Sequence, residues 1–332
     1  MKNIYLIFSL TLLTLISYIS FLNFSSLKLQ TSLLKEFNEN KYTDETLQKV
    51  LNSRVSIPNI SVTTMPLNVM FARYYHIAGQ HSKALEMLDK PIKDNPYLYT
   101  KETLKATIYN YLDVRDSAEF YAKKAFYNLP GNAVNFELTM KSLVKKRDID
   151  IIKSAFDSVT KKDQVQFWQI YFGTILNLDY DNDSTIIEQA KKAKGKFPNN
   201  KELGVLADFI LFGPDAIKES VEINKKADSA FAKSDFKLAS SLYIKASQLN
   251  PSNFTFFENA GVSLYQLEQY EQALPYLIHV VDSLNPKTGK SEYLLGMNLV
   301  KIGRIQEACD YFRKSTRFNF KPAFAELSKN CK

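Results

Sequence analysis

The sequence predicts an all-α protein, an α-solenoid of about seven stacked helical hairpins that follow one apolar N-terminal helix. Three observations lead to this prediction. The 332 residues include only 10 Gly and 11 Pro, too few for the many tight turns of a β-sandwich or barrel. Residue types recur at a spacing of 34, and long stretches are rich in Lys, Glu, Ala, Leu and Gln, which favour helix. An uncharged apolar run stands near the N-terminus.

The overall composition indicates a folded chain with a solvated surface. Hydrophobic residues make up 45% of the chain and charged residues 23%, which is enough apolar content for a core. The formal net charge is +8, but Lys residues are interspersed with Asp and Glu rather than gathered in runs. Because there is no basic stripe with interleaved aromatics, nucleic acid is not an expected partner.

The N-terminal run, residues 1–24 with its flanks, is expected to be an uncleaved membrane anchor. From Ile4 to Leu22 there are 19 residues without a charge, whereas a bilayer core needs about 20 and a signal peptide's apolar region about 7–15. Lys2 before the run favours export of the rest of the chain to the periplasm or another extracytoplasmic face. A cleaved signal peptide, giving a secreted protein, and a buried apolar helix remain the alternatives.

Residues 25–64 are expected to tether the anchor to the rest of the chain. Apolar and polar positions alternate there at helical spacing, with Thr43 as a plausible cap, so we expect a degenerate first hairpin. An extended connector, VSIPNISVTTMP, should follow.

The spacing of 34 indicates internal repeats, which are a mark of stacked supersecondary units. The segments DSAEFYAKKAFYNLP (116–130) and KLASSLYIKASQLNP (237–251) both place Ala twelve and five positions before a Pro. Pairs 34 residues apart are Ala72 and Ala106, Tyr75 and Tyr109, Ala84 and Ala118, Pro96 and Pro130, Ala227 and Gly261, and Ala239 and Ala273. Small residues let two helices approach closely, and Pro ends the second helix of a hairpin.

These residues resemble the tetratricopeptide repeat family, which has a small residue at position 8, an aromatic at 11, Ala at 20 and 27, and Pro at 32. The best matches are residues 65–98 and 254–287. The resemblance implies a right-handed superhelix, with one block of four units at 65–200 and a second block of three units and a capping helix at 220–332. Between the blocks, 201–219 contains an apolar helix ended by Gly213-Pro214, expected to be an adaptor; an exposed docking helix is the alternative.

Two cysteines, Cys309 and Cys331, lie near the C-terminus. In an exported protein an even number of cysteines permits one disulfide, which would tie the last helix to the repeat before it. Two small core residues are the alternative interpretation. The disulfide would contribute about 3 kcal/mol in the chain-entropy model.

The sequence shows no catalytic constellation, so we expect no enzyme activity, no cofactor and no metal. His76, His81 and His279 lack spaced carboxylate or His partners for zinc, and there is no phosphate-binding glycine loop or nucleophile elbow. An enzyme assembled from scattered residues remains an alternative.

The expected function is a non-catalytic scaffold that binds a protein, as a peptide or partner helix, in a concave groove. A second hypothesis is an accessory subunit of envelope polysaccharide or lipid assembly that contacts glycan. The carboxylate clamp of chaperone-binding members is rejected, because Asp228 stands where it would repel a terminal carboxylate. The groove residues that the resemblance implies are Arg73, His76, Thr107, Asn110, Lys141, Trp168, Tyr171, Ile175, Asn224, Asp228, Glu258, Tyr265, Tyr293 and Met297. For Trp168, packing in the core is the alternative interpretation.

Overall fold

The structure, a computed structural model, describes residues 2–39, 45, 48, 65–90, 95–178, 180 and 183–331. The predicted cap at Thr43 and nearly all of the predicted extended connector lie outside these residues.

The described residues form α-helices without a strand, which confirms the predicted all-α class. The helices are α1 (Lys2–Glu39), α2 (Leu67–Ile77), α3 (His81–Asp89), α4 (Thr100–Tyr111), α5 (Arg115–Asn128), α6 (Ala133–Leu143), α7 (Ile149–Asp157), α8 (Val165–Ile175), α9 (Ser184–Lys196), α10 (Lys201–Phe212), α11 (Pro214–Ala232), α12 (Phe236–Leu249), α13 (Phe254–Gln266), α14 (Tyr270–Ile278), α15 (Lys290–Lys301), α16 (Ile305–Arg317) and α17 (Lys321–Asn330).

Helix α1 is a single helix of 38 residues that has two different surroundings. Its first turns leave large apolar side chains exposed, whereas Ser26 and Gln30 are buried and Leu34 packs against the core of α2 and α3. The hydroxyl of Tyr74 donates to Glu36 Oε2 at 2.9 Å. Because neither Gly nor Pro occurs before residue 40, nothing ends the helix after the apolar run. Residues 25–39, predicted to begin the tether, therefore continue the helix of the predicted anchor.

The first compact unit comprises Met1–Tyr180, which we call unit 1. Its hairpins are α2 with α3, α4 with α5, and α6 with α7. Their first helices also pack in sequence, α2 against α4, α4 against α6 and α6 against α8, as in stacked repeats. The small residues predicted from the spacing lie where these helices pack closely. Ala72, Ala84 and Ala106 are all fully buried.

Large rings fill the C-terminal part of unit 1. The ring of Phe136 on α6 lies 5.3 Å from that of Phe126 and 5.5 Å from that of Phe167. The ring of Phe156 on α7 stacks on Tyr171 of α8 with centroids 4.1 Å apart. We call this set the ring core: Phe126, Phe136, Phe156, Phe167, Trp168, Tyr171 and Phe172, all of them buried.

The second compact unit comprises Asp181–Lys332, which we call unit 2. It pairs α9 with α10, α11 with α12, α13 with α14, and α15 with α16, and α17 packs on α16. A Cβ added at Gly261 would lie 2.7 Å from Leu277, and one at Gly296 would lie 2.6 Å from Phe312. The glycines therefore permit helix approaches that no other residue type would allow.

Cys309 of α16 and Cys331, which follows α17, form a disulfide with Cα atoms 5.6 Å apart. This is the bond that the sequence left as one of two interpretations, and it fastens the last helix of unit 2 to the hairpin before it. Leu327 and Cys331 also pack against the core of α15 and α16.

The boundary between the two compact units is not at 201–219, where the repeat spacing breaks. It falls between Tyr180 and Asp181, so α8 and α9 of the predicted fourth hairpin belong to different units. The predicted adaptor helix, α10, packs against both α9 and α11, and Lys194 pairs with Asp208 across α9 and α10. Helix α11 already begins at Pro214. The boundaries at 200 and 219 therefore stay predictions about repeat spacing, while packing groups the helices differently.

Candidate functional site

The predicted groove residues fall into two groups when their exposure is compared. Four have buried side chains: Trp168, Tyr171, Ile175 and Glu258. The remaining ten are half-buried or exposed: Arg73, His76, Thr107, Asn110, Lys141, Asn224, Asp228, Tyr265, Tyr293 and Met297.

The three buried residues of α8 belong to the ring core and its surroundings rather than to an accessible surface. Trp168 is 3% exposed, and its Nε1 donates to the carbonyl oxygen of Lys162 at 2.8 Å. Tyr171 and Ile175 are completely buried. The physical reason is that α8, with the sequence VQFWQIYFGTI, is apolar around most of its circumference and packs against both α6 and α7. These side chains are therefore corrected from groove contacts to core residues.

Glu258 is buried because it joins two neighbouring helices of unit 2. Its Oε1 accepts a hydrogen bond from Ser291 Oγ at 2.6 Å, and its Oε2 lies 2.5 Å from Lys290 Nζ. The Glu258 carboxylate on α13 thus accepts from a hydroxyl and pairs with an ammonium group, both in the first turn of α15. Glu258 is accordingly a structural link and not a free partner contact.

Three predicted groove residues of unit 2 converge on one cavity. Tyr265 of α13 lies opposite Tyr293 and Met297 of α15, around a cavity of about 180 Å³. The remaining lining is mainly apolar: Gly261, Val262, Gln266, Leu277 and Leu294. We call this feature the tyrosine cavity. Its position between the first helices of two successive hairpins is the position that the repeat resemblance implies for a groove.

The surroundings of the tyrosine cavity raise the pKa of both phenols. Burial raises the pKa of Tyr265, and the charges of Tyr270, Tyr293 and Glu326 raise it further. Burial and the charge of Glu326 likewise raise the pKa of Tyr293. Glu326 belongs to α17, the helix fastened by the disulfide, so the C-terminal helix supplies negative charge near the cavity. The cavity offers apolar walls and neutral hydroxyls beside a carboxylate.

A second carboxylate lies on the first helix of the preceding hairpin. Exposed Asp228 of α11 accepts a hydrogen bond from Asn224 Nδ2 at 3.0 Å and one from the Tyr243 hydroxyl at 2.6 Å. Burial and Asp228 raise the pKa of Tyr243. Asp228 is thus held in a defined orientation by two donors.

In the described part of unit 1, Lys141 and Asn110 line two different cavities. Lys141 lines a cavity of about 260 Å³ between α6 and α8, but its Nζ is paired with Glu137 at 2.7 Å. Asn110 lines a separate polar cavity of about 160 Å³. Thr107 Oγ1 donates to its own helix at the carbonyl oxygen of Thr103. Arg73 is exposed on α2.

His76 has a partner that sequence reasoning missed. Its Nδ1 lies 2.9 Å from Nδ1 of His81, and the exposed ring of Tyr111 packs beside both imidazoles. Burial and the charge of His81 lower the pKa of His76. The sequence analysis placed both histidines around an interhelical turn but did not predict that their rings meet. The sequence feature that could have predicted this contact is one His on each side of a three-residue turn between two helices.

Among the residues that the structure describes, no group of three or more His, Cys, Asp or Glu side chains is placed to hold a metal ion. In the same residues one helix, spanning Ile4–Glu36, is long and apolar enough to cross a membrane, and its apolar window is not buried. A signal sequence would have the same properties.

Comparison with known proteins supports the repeat resemblance in unit 2. Residues 292–322 match the family model described as tetratricopeptide repeat. The small glutamine-rich tetratricopeptide repeat-containing protein 2 of Mycosarcoma maydis is 28% identical over 98 residues, which are 30% of this chain and 28% of that protein. The chain therefore matches little more than a quarter of the length of this curated relative.

Solved structures with partial similarity include two tetratricopeptide repeat domains. The TPR domain of P58(IPK) has a TM-score of 0.40 and 11% identity, covering 92% of this chain and 96% of that one. The TPR2AB domain of yeast Sti1, solved as a pHSP90 complex, has a TM-score of 0.32 and 14% identity, covering 71% of this chain and 97% of that one.

Proposed function

We propose that this chain is a non-catalytic repeat scaffold that binds a peptide or helix of a partner protein through the tyrosine cavity of unit 2. The observation that carries the proposal is the convergence of Tyr265, Tyr293 and Met297 on one cavity between α13 and α15. Aromatic and Met side chains around a desolvated pocket are typical of the centre of a protein interface.

The chemistry of the cavity specifies the kind of segment that fits. An apolar side chain of the partner would fill the space between the two phenols and lose its contact with water. A neighbouring Lys or Arg would face the carboxylate of Glu326, whose charge acts on both cavity tyrosines. We therefore infer a partner segment with an apolar anchor and an adjacent basic residue.

The location that we propose is a membrane or cell envelope, with α1 as the anchor and the repeats on the extracytoplasmic side. The apolar turns of α1 support this, because they are exposed over a length sufficient for a bilayer. The disulfide between Cys309 and Cys331 also suits an oxidising compartment.

A second candidate is an accessory subunit of envelope polysaccharide or lipid assembly that contacts glycan directly. The observation that favours it is the pair of tyrosine rings lining the same cavity, since an aromatic ring offers an apolar face and a hydroxyl to a sugar. In this case the glycan would occupy the space assigned above to an apolar side chain.

Site-specific cross-linking in cells tests both candidates. A photoreactive residue at Met297 should give a protein adduct, whereas the same residue at Leu238, which is 48% exposed on α12, should not. Glu326→Lys should reduce the Met297 adduct, since it reverses the charge near the cavity. Glu188→Lys, the same change at an exposed site on α9, is the matched control.

A glycan adduct at Met297 in place of a protein adduct would favour the second candidate. Equal adducts at Met297 and Leu238, or no effect of Glu326→Lys compared with Glu188→Lys, would contradict the assignment of the cavity as a binding site.

A further inference from the structure

The turn between α2 and α3 holds two histidine side chains against each other. His76 lies in the last turn of α2, and His81 is the first residue of α3. The backbone N–H of Gly79, at φ +77°, donates to the carbonyl oxygen of His76 at 3.0 Å, and the N–H of Gln80 donates to that of Tyr75 at 2.8 Å. Because these bonds define the turn, the approach of the two rings follows from the backbone of the hairpin.

The separation of the two nitrogens is that of an ordinary hydrogen bond, and it is also compatible with two ligands of one metal ion. Nδ1 of His76 and Nδ1 of His81 are 2.9 Å apart. A metal ion that binds two imidazole nitrogens at about 2.0–2.1 Å and at right angles holds them about 2.9 Å apart, whereas a tetrahedral ion separates them by about 3.3 Å. Ligands at right angles are typical of Cu²⁺ and Ni²⁺, and Cu²⁺ binds most tightly in the series of divalent first-row ions.

We propose that Nδ1 of His76 and Nδ1 of His81 form a two-nitrogen binding site for a divalent late transition metal ion, with Cu²⁺ as the preferred ion. Both imidazoles are half-buried, so water occupies the remaining coordination positions. The ring of Tyr111, with its centroid 4.6 Å from that of His81 and 5.7 Å from that of His76, limits the rotation of both ligands.

Metal binding replaces the hydrogen bond between the two rings without a net change in protonation. In the metal-free pair one Nδ1–H donates to the lone pair of the other Nδ1. When the ion binds both lone pairs, the donor ring carries its proton on Nε2 instead of Nδ1. Each imidazole stays neutral, and two nitrogen–metal bonds form in place of the shared hydrogen bond.

Lys83, a cation near the His76–His81 pair, makes its contacts with other side chains. Lys83 Nζ donates to Gln80 Oε1 at 2.9 Å and lies 5.9 Å from the ring centroid of Tyr75. The only other histidine of the chain, His279, packs against Phe257 in unit 2 with ring centroids 4.6 Å apart. It supplies a matched control, since it is a single imidazole beside an aromatic ring.

The test uses the full chain in detergent, purified with a tag that contains no histidine, and Cu²⁺ as the probe. Affinity is measured by competition with a chelator, and the number of bound nitrogens by electron paramagnetic resonance. The variants are His76→Phe, His81→Phe and His279→Phe, which keep a ring and remove the nitrogens. Circular dichroism without metal checks that each variant is folded.

Wild type and His279→Phe should bind one Cu²⁺ with two nitrogen ligands, and each variant of the pair should bind at least about tenfold more weakly. Unchanged affinity in His76→Phe and His81→Phe would overturn the proposal.

A measurement on wild type alone avoids any dependence on folding of the variants. The three histidines give three imidazole signals in the nuclear magnetic resonance spectrum. Substoichiometric Cu²⁺ should broaden the signals of His76 and His81 before that of His279. Equal broadening of all three, or broadening of His279 first, would overturn the proposal.

Discussion

Unit 1 and unit 2 build the same helical hairpins with different packing. In unit 1, rings fill the space between α6, α7 and α8, as in the stack of Phe156 on Tyr171. In unit 2, glycines bring the helices together, so that Gly296 lies against Phe312 with no room for a Cβ. The difference shows that the same hairpin arrangement accommodates a cluster of large rings at one place and a glycine under a neighbouring side chain at another.

The two units also differ in their match to the repeat family and in how many predicted groove residues are accessible. The family match, 292–322, lies in unit 2 and includes Gly296, one of its two close-approach glycines. In unit 1 the rings of α8 use the positions that the repeat pattern assigns to a groove, and they are buried. In unit 2 the predicted groove residue Glu258 is also buried, but Tyr265, Tyr293 and Met297 stay accessible and line the tyrosine cavity.

The largest expected effect is the loss of a ring from unit 1. Trp168→Ala removes a buried side chain that lies edge-on to Phe156, with ring centroids 4.8 Å apart, and should lower the free energy of unfolding by about 3–5 kcal/mol. Hydrogen exchange resolved by region would show the loss of protection in α6, α7 and α8. Phe120→Ala, at a side chain that is 60% exposed in the same unit, should change stability by less than about 0.5 kcal/mol. Equal losses of unfolding free energy in the two variants would contradict the role of the ring core in the stability of unit 1.

The next effect concerns unit 2, which contains both cysteines. Cys309→Ser with Cys331→Ser opens a loop closed over a sequence separation of 22, and should cost about 3 kcal/mol in the chain-entropy model. Denaturant unfolding of wild type with and without a thiol reductant should give a difference of the same size. If the serine variant and oxidised wild type unfold at the same denaturant concentration, the disulfide does not stabilise α17.

Glycine substitutions distinguish the two kinds of packing most directly. Gly296→Ala places a Cβ 2.6 Å from Phe312 and should cost about 1–3 kcal/mol by overpacking. Gly173→Ala in α8 of unit 1 meets nothing within 4 Å and should stabilise by about 0.5–1 kcal/mol, since Ala is the better helix former. Thermal unfolding of the two variants should therefore shift in opposite directions. Shifts of the same sign would contradict the difference in free space that the structure shows at Gly296 and Gly173.

The smallest effect is a pH dependence in unit 1. Burial alone would raise the pKa of Glu119, but hydrogen bonds from Lys123 and Lys146 outweigh it, so the pKa lies below its ordinary value of 4.5. A depressed carboxyl pKa contributes stability above the unfolded-state pKa, and this contribution is lost as the pH falls through the folded-state pKa. Glu119→Gln should therefore destabilise by up to about 1 kcal/mol at neutral pH and have less effect at acid pH.

The control for this pair lies on the surface of unit 2. Glu219 and Lys245 join α11 and α12, but both side chains are more than half exposed. Glu219→Gln should cause no measurable change in unfolding free energy at either pH. A loss at Glu119 that does not diminish in acid would show that its charge is not responsible.

Much of the fold could be predicted because its causes are local and repeated. Ala72 and Ala106, and likewise Ala84 and Ala118, recur at a spacing of 34 because each lies where two helices of a hairpin pack closely. This requirement is the same in every repeat and can be read from the sequence. The continuous helix from the apolar run to Glu39 follows from the absence of Gly and Pro, although the sequence interpretation placed a tether there.

The candidate site was only partly predictable, because exposure depends on the helices that pack around a position. Tyr265 and Trp168 were both assigned to a groove by repeat position, yet only Tyr265 lines a cavity, since α6 and α7 cover Trp168. The pairing of His76 with His81 required the positive φ of Gly79 and the resulting turn.

By itself, the sequence determined the all-α class, the hairpin repeat, the apolar N-terminal helix and the candidate cysteine pair, because periodicity and composition encode local structure. Only the tertiary structure decided which groove positions are buried, where the compact units divide, and which side chains meet across a turn or a cavity. These properties depend on contacts between residues far apart in the chain, and the repeat pattern is the same whether a given face is covered or open.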